Sequence, residues 1–578
     1  MSATVKVSQD VLVLIDKKLA GYSSFWKEFA PVLQHWKFPH RIVDVHASQC
    51  VRAIRQAGLV LLIQPYLGKA LKRPVIKVIE EALEHQCGLF LAEPSLLENP
   101  YRHQTELGNV LPKPMGRIRS NTLRVIRNRH FIATTKAVGE KIDLSSVCEI
   151  TKIHKKKTPL DIILMAGNNP AFVFLHHPKY RIGCCMLKGH DLIHAIGFGG
   201  DFDVFLWKSI IYLARKPFFQ LLPKAFVTFR IEDSIGEGNY RYLDHLIRQG
   251  FKAHLGLDLN DFKTCYARKL VHYIQNGKVE CSAHAFTHYK RVPTEKTDLI
   301  YGPFQGGAYS KQKIKKNFER LDEFQNQNRI KFSPVLTYHY CQIGKTALKH
   351  LKRLGVRYLG FPFKVNSPLN QVGAYKWRRY PFGRWGLICD YWPDDPDFIV
   401  MSALFFPKKV EPDGKIDVSV TSRFDFLFGL KLKIPGKRFN QYREVRDRIS
   451  RYLRWTNENM FFSTLFTHET LIHYLRPWEF RRIVKDIRRL SKNFHATHAR
   501  YQDIARYYET RMNTRLQEFE FKGGRGTGTV EGRMSGNLDL AIYEGRGNAL
   551  TMKRATIDVV KGRRRVRFNH LKGERNNG

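Results

Sequence analysis

Three short runs hold residue types that can do chemistry together. Glu232 and Asp233 end the apolar run AFVTFRI (225–231), His284 and His288 stand four apart in CSAHAFTH, and His468 closes TLFTH. Two imidazoles one helical turn apart, or on a tight strand-to-helix bend, face one point. With one carboxylate they leave open positions on a zinc-like ion. Asp233 is the natural third ligand, because its strand can lie beside the strand ending at His284. An ion there polarises a carbonyl and acidifies water. Glu232, next door, can act as general base, and His468 can protonate a leaving amine. The chemistry is metal-assisted hydrolysis.

Each residue also has a plainer reading. In a chain with 23 histidines an HxxxH pair arises by chance. Asp233 can cap the helix that follows it, and His468 can be a satisfied core histidine. Their joint occurrence at strand ends, in a consistent order, singles them out.

The elements that must position them alternate. Strand patterns at 225–231, 251–257, 278–283, 331–338, 356–361 and 461–466 are separated by helical patterns at 239–249, 262–276, 307–328, 344–353 and, after them, 477–491. The strand at 331–338 runs into His339 and Tyr340. Repeated strand-then-helix order predicts an α/β sheet or barrel whose chemistry gathers at the C-terminal strand ends. A second alternating series starts at 10–15 and runs through 88–92, with no GxGxxG after its first strand, so nothing supports a dinucleotide site. The expected layout is a Rossmann-like α/β domain over 1–215, a distorted (β/α) barrel over 222–521 and a small, basic, β-rich appendage over 522–578. A helix is expected over 496–520.

The residues resemble the polysaccharide deacetylase superfamily, with its NodB-like homology domain. The first motif of that family, a Thr-Phe-Asp-Asp-Gly run, is similar to Thr228-Phe229-Arg230-Ile231-Glu232-Asp233-Ser234, with an inserted pair and Glu in place of the base Asp. The His-x-x-x-His motif resembles His284 to His288, and Leu-x-x-His resembles Leu465 to His468. The third motif, which supplies an arginine and a Pro-Tyr pair, aligns with Ser333-Pro334 through Tyr338-His339-Tyr340 without an arginine. The fourth aligns with Asp390-Tyr391-Trp392. The resemblance implies Asp233, His284 and His288 on one divalent ion, zinc first and Co2+, Ni2+ or Fe2+ as alternatives, with Glu232 as base and His468 as acid. It implies removal of N-acetyl groups from an amino sugar in a polysaccharide or glycolipid precursor. The N-terminal segment resembles class I amidotransferases, but Glu93-Pro94-Ser95 stands where a nucleophilic cysteine belongs, and Ser95 is expected as a cap or turn.

Bulk properties set the partners. Lys plus Arg number 97 against 52 Asp plus Glu, a formal net charge of +45. That excess favours anionic partners. An anionic glycan or glycolipid is the expected substrate, with peripheral membrane contact as an addition. Nucleic acid is the rival, with the KGRRRVR run at 561–567 as its contact patch, and a non-catalytic glycan-binding protein on the same fold is a third reading. Nine cysteines without a CxxC pair fit a reducing compartment. No secretory leader or 18-residue apolar span is seen, so a cytoplasmic location is expected.

Overall fold

The computed structural model describes residues 10–154, 159–189, 191–192, 202–287, 298–303, 308–339, 343–360, 389–392, 395–401, 439–473, 475–522, 525–545 and 547–569. The chain forms two compact units, Met1–Leu222 with Asn513–Gly578, and Pro223–Met512.

The first unit is built on a nine-stranded sheet. Its parallel half runs His40–Asp44, Val11–Ile15, Leu59–Leu62, Gly88–Leu91 and Arg181–Cys185. Runs such as VLVLI are apolar throughout because helices cover both faces of such strands. The sheet then continues antiparallel through Asn169–His176, Leu160–Ala166, Lys113–Val125 and Lys141–His154. Two three-stranded sheets complete the unit. In one, Phe218–Leu222 pairs with Gly536–Glu544, which pairs with Thr551–Val559. In the other, Arg525–Gly532 lies between Thr514–Lys522 and Gly562–Asn569. The C-terminal β segment therefore shares a sheet with residues that precede the second unit.

The helix expected over 496–520 ends early. Helix Tyr501–Met512 stops and strand Thr514–Lys522 begins. The period changes there: Leu516 and Phe519 are buried while Arg515, Glu518 and Glu520 are exposed, and the count slips by one where Glu518 adopts a left-handed backbone at an irregularity in the ladder.

The second unit carries the residues singled out above. Strand Phe226–Ser234 is the centre of a five-stranded sheet and is buried along its whole length. Parallel neighbours are Ala253–Asp258 on one side and Ser463–His468 on the other, and Val279–Ala285 pairs beyond Ala253–Asp258. A four-stranded sheet holds Val335–Leu336, Tyr358–Leu359, Asp395–Met401 and Cys389–Trp392. The sheets meet where the Ser333 N–H donates to the Cys281 carbonyl (2.7 Å) and the Thr337 N–H to Ser282 Oγ (3.0 Å). A shared core, including Phe226, Val335, Ile399, Met401, Phe462, Tyr501 and Tyr508, packs between them. Among the described residues the strands form two sheets, and no pairing joins Asp395–Met401 to Ser463–His468 into a closed barrel.

One face of the larger sheet is polar. Side chains alternate along a strand, so Thr228, Arg230 and Glu232 share a face, as do His254, Gly256 and Asp258, and Glu280, Ser282 and His284. The register sets His254 beside both Arg230 and Glu280, and Gly256 beside Ser282. All but the glycine are buried polar groups, and buried polar groups require partners. Those partners build the site.

Candidate metal centre

Strand alternation would point Glu232 and Asp233 to opposite faces. The ladder instead slips between Ile231 and Ser234, and Asp233 takes a left-handed backbone with φ of 51°. Such a bulge re-aims a side chain, and a non-glycine residue in that region is strained. The result is that both acids reach one imidazole. His284 Nε2 lies 3.6 Å from Glu232 Oε2 and 3.6 Å from Asp233 Oδ1.

The third group at this centre is His339. Its Nδ1 is 2.7 Å from His284 Nε2 and 3.7 Å from Asp233 Oδ1. Asp233, His284 and His339 are all buried, and their ligand atoms lie within 4.8 Å of one another. The sequence offered His288 for this role, and His288 lies outside the described residues. His339 had a legible signal, since it follows a strand just as His284 ends one.

The donor set fits a divalent ion. His284 Nδ1 is 3.1 Å from the Thr337 carbonyl. A carbonyl only accepts, so Nδ1 carries the proton and Nε2 presents its lone pair to the centre. Tetrahedral zinc with nitrogens at about 2.0–2.1 Å holds ligand atoms roughly 3.3 Å apart. The Asp233 distances are close to that, and the two imidazoles need to part by about half an ångström. Gly256 makes room for the His284 ring, because a Cβ there would stand 3.0 Å from it.

Glu232 is set apart from the ligands by an arginine. The Arg230 guanidinium donates to Glu232 Oε1 through Nε at 2.7 Å and through Nη2, and its Nη1 donates to the Gly360 carbonyl at 3.0 Å. The guanidinium also lies 5.5 Å from the centre of the Phe466 ring. Burial alone would push Glu232 up, but Arg230, with His284 and His468 nearby, overrides it and holds the carboxyl at about 2. The arginine that holds Glu232 stands two residues before it on the same strand.

His468 faces the centre from the neighbouring strand. Its Nε2 is 3.9 Å from Asp233 Oδ2, and its side chain, 28% exposed, is the most open of the set. The next residue, Glu469, is buried and fastens the loop after Asp233. It accepts from the Ile235 N–H (2.6 Å), the Gly236 N–H (3.1 Å) and Ser234 Oγ (3.3 Å). Burial pushes its carboxyl up to about 7 against those hydrogen bonds. The Asp390 and Trp392 side chains lie outside the described set, although their backbone forms the strand Cys389–Trp392.

In the first unit, Ser95 is buried and its Oγ accepts from the Lys69 N–H at 3.3 Å. Glu93 caps the turn by accepting from the Ser95 N–H at 3.1 Å. The basic run at 561–567 lies on and beside the strand Gly562–Asn569, which pairs on one side only among the described residues. Its arginines are exposed while Val566 and Phe568 point inward, and Arg563 approaches Glu518 at 3.9 Å. Charges placed this way also protect a sheet edge from pairing with other chains. No helix of the described residues is long and apolar enough to cross a membrane.

Fold and site together define an α/β chain with a buried carboxylate–imidazole centre, whose fold is similar to that of a carbohydrate deacetylase. The structural likeness that carries this is to the crystal structure of Agd3, described as a novel carbohydrate deacetylase, at a TM-score of 0.51 and 10% identity over 98% of both chains. Two other structures align over part of the chain. A putative polysaccharide deacetylase from Mycobacterium smegmatis does so at 10% identity and a TM-score of 0.29, over 49% of this chain and 90% of that one. A Streptococcus mutans CE4 esterase does so at 14% identity and 0.27, over 48% and 86%. Both scores are too low to establish a common fold. No protein-family model and no curated protein matches the chain.

Proposed function

We propose that this chain is a metal-dependent hydrolase that removes N-acetyl groups from an amino sugar in an anionic polysaccharide or glycolipid precursor. The observation that carries the reading is the buried convergence of Asp233, His284 and His339, with Glu232 and His468 beside them. The likeness to Agd3 supports the fold on which the chemistry rests.

Asp233 Oδ1, His284 Nε2 and His339 Nδ1 would hold a divalent ion. Such an ion, when bound, polarises the acetyl carbonyl and acidifies water. Glu232 Oε2, the oxygen Arg230 leaves alone, receives a proton from the attacking water. The Arg230 guanidinium keeps the Glu232 carboxyl ionised and so able to accept that proton. His468 is the open member of the set and delivers a proton to the departing amine as the C–N bond breaks. The net charge of +45 favours an anionic substrate through long-range steering.

The test is acetate release from N-acetylated anionic oligosaccharides, with O-acetylated ones beside them, by chelator-stripped and zinc-reloaded enzyme. Release that returns with zinc and is lost in Glu232→Gln supports the reading. A zinc-loaded wild type that releases nothing from either set defeats it.

A further inference from the structure

Further along the polar face, away from the reacting centre, lies a second buried set that hydrolysis does not use. His254 and Thr337 have no exposed surface, Ser282 has 1% and Glu280 has 4%. His254 Nε2 is 3.0 Å from Ser282 Oγ and 3.3 Å from Thr337 Oγ1. Its Nδ1 is 3.3 Å from Glu280 Oε1, within ion-pair reach but outside hydrogen-bond geometry. The residue types are those of a serine–histidine–acid nucleophile. Their burial leaves no place for an acyl group, so they serve another end.

That end is visible in what they hold. Ser282 Oγ accepts the Thr337 N–H at 3.0 Å, and its contact with Thr337 Oγ1 is also 3.0 Å. Glu280 accepts from Ser333 Oγ at 2.9 Å and from the Gln502 N–H at 3.1 Å. The segment from Ser333 to Thr337 is thereby fastened to strand Val279–Ala285 by side chains at 280 and 282. The same segment supplies the carbonyl that accepts the hydrogen bond from the His284 Nδ1–H, and two residues later it supplies His339.

We propose that His254, Ser282 and Glu280 are positioning residues that hold the Thr337 backbone so that His284 keeps its Nδ1–H tautomer and His339 reaches the centre. This rests on the reading of Asp233, His284 and His339 as a metal centre. A ligand imidazole is oriented by what its other nitrogen meets. Here that partner is a main-chain carbonyl, whose direction is fixed only as well as its peptide is. Ser282 and Thr337 stand two residues before His284 and His339, so one hydroxyl contact registers both imidazoles against each other.

The experiment uses the full chain with 15N-labelled histidine. Wild type, Ser282→Ala, His254→Leu and the conservative His254→Gln are compared by histidine 15N spectra of the metal-free protein, with His284→Gln supplying the assignment. Zn2+ affinity is measured against a chromophoric chelator. The wild type should show His284 as the Nδ1–H tautomer. Ser282→Ala and His254→Leu should show mixed tautomers and bind Zn2+ about 10–100-fold more weakly. His254→Gln, which keeps a polar atom for Ser282, should recover most of that loss. Should His254→Leu fail to fold, Ser282→Ala, which removes one atom, decides the matter. Folded variants that keep the wild-type tautomer and bind Zn2+ within about twofold of wild type overturn the proposal. A wild type that takes up no Zn2+ defeats the metal reading instead, and the tautomer spectra then decide the positioning role alone.

Discussion

Glu232 and His468 are direct partners in the parallel ladder between Phe226–Ser234 and Ser463–His468. The proposed base and acid therefore stand at the same height on adjacent strands, with Asp233 between the imidazole pair and His468. A one-residue slip would turn either side chain to the opposite face. Two rungs back, Arg230 pairs with Phe466, so the clamp on Glu232 is set by the same register.

His339 is expected to matter to metal binding as much as His284. Purified His339→Ala and His284→Ala should each lose the roughly one ion per chain that a single three-ligand site holds. Elemental analysis after dialysis against zinc checks this. Full retention in His339→Ala would remove it from the ligand set and return attention to His288.

The Arg230–Glu232 pair gives a stability prediction with a sign. Removing one member of a buried ion pair strands the other, so Arg230→Met should cost about 3–5 kcal/mol. The double variant Arg230→Met with Glu232→Gln should cost markedly less. Urea unfolding of wild type, Arg230→Met, Glu232→Gln and the double variant measures the difference. Equal losses in single and double variants would mean that the guanidinium serves Gly360 and Phe466 rather than Glu232.

Acid should weaken the fold through Glu232. Its carboxyl is held at about 2, below the ordinary 4.5. The contribution is full above about 4.5 and is lost as pH falls from there toward 2. Glu232→Gln should therefore lose less stability than wild type between pH 5 and pH 3, as read from thermal midpoints at each pH.

Glu469 works in the opposite direction. Its carboxyl is raised to about 7, so its contribution is complete below about 4.5 and is lost as pH rises through 7. A neutral amide still accepts from the Ile235 and Gly236 N–H groups. Relative to wild type, Glu469→Gln should gain stability between pH 5 and pH 8. A constant difference across that range would place the shift elsewhere.

Gly256 offers a probe of space. A methyl there meets the His284 ring at 3.0 Å. Overpacking of this kind costs about 1–3 kcal/mol, and here it falls on a ligand. Gly256→Ala should bind Zn2+ more weakly than wild type, by an amount larger than its shift in thermal midpoint alone implies.

The strand–helix alternation of the second unit was legible because each strand end carries a change from apolar to polar. Glu232, Asp233, His284 and His468 stood out for the same reason, and the structure brings them together. Arg230 did not stand out, although it sits inside the motif. It reads as an odd polar residue in an apolar strand until the period of two is counted through Thr228, Arg230 and Glu232. The same count would have found His254, Glu280 and Ser282. His339 was passed over because the four-residue spacing of His284 and His288 filled the ligand role first, although the strand expected over 331–338, which is only Val335–Leu336 in the structure, already pointed to it. The left-handed Asp233 could not be read at all, since a bulge depends on the neighbouring strand. The C-terminal pairing was hidden too, because Phe218–Leu222 and Gly536–Glu544 are separated by the whole second unit.

That last pairing has a consequence for biosynthesis. A ribosome releases Phe218–Leu222 long before Gly536–Glu544, so the first strand waits for its partner while some 300 residues are added. At about 5–20 residues per second that is an interval of tens of seconds. The second unit, continuous in sequence, has all its strands in hand during that time. Folding during synthesis is thus expected to start with the nine-stranded sheet, whose strands all lie before residue 186, to continue through the second unit, and to end with the sheet that joins Phe218–Leu222 to Gly536–Glu544.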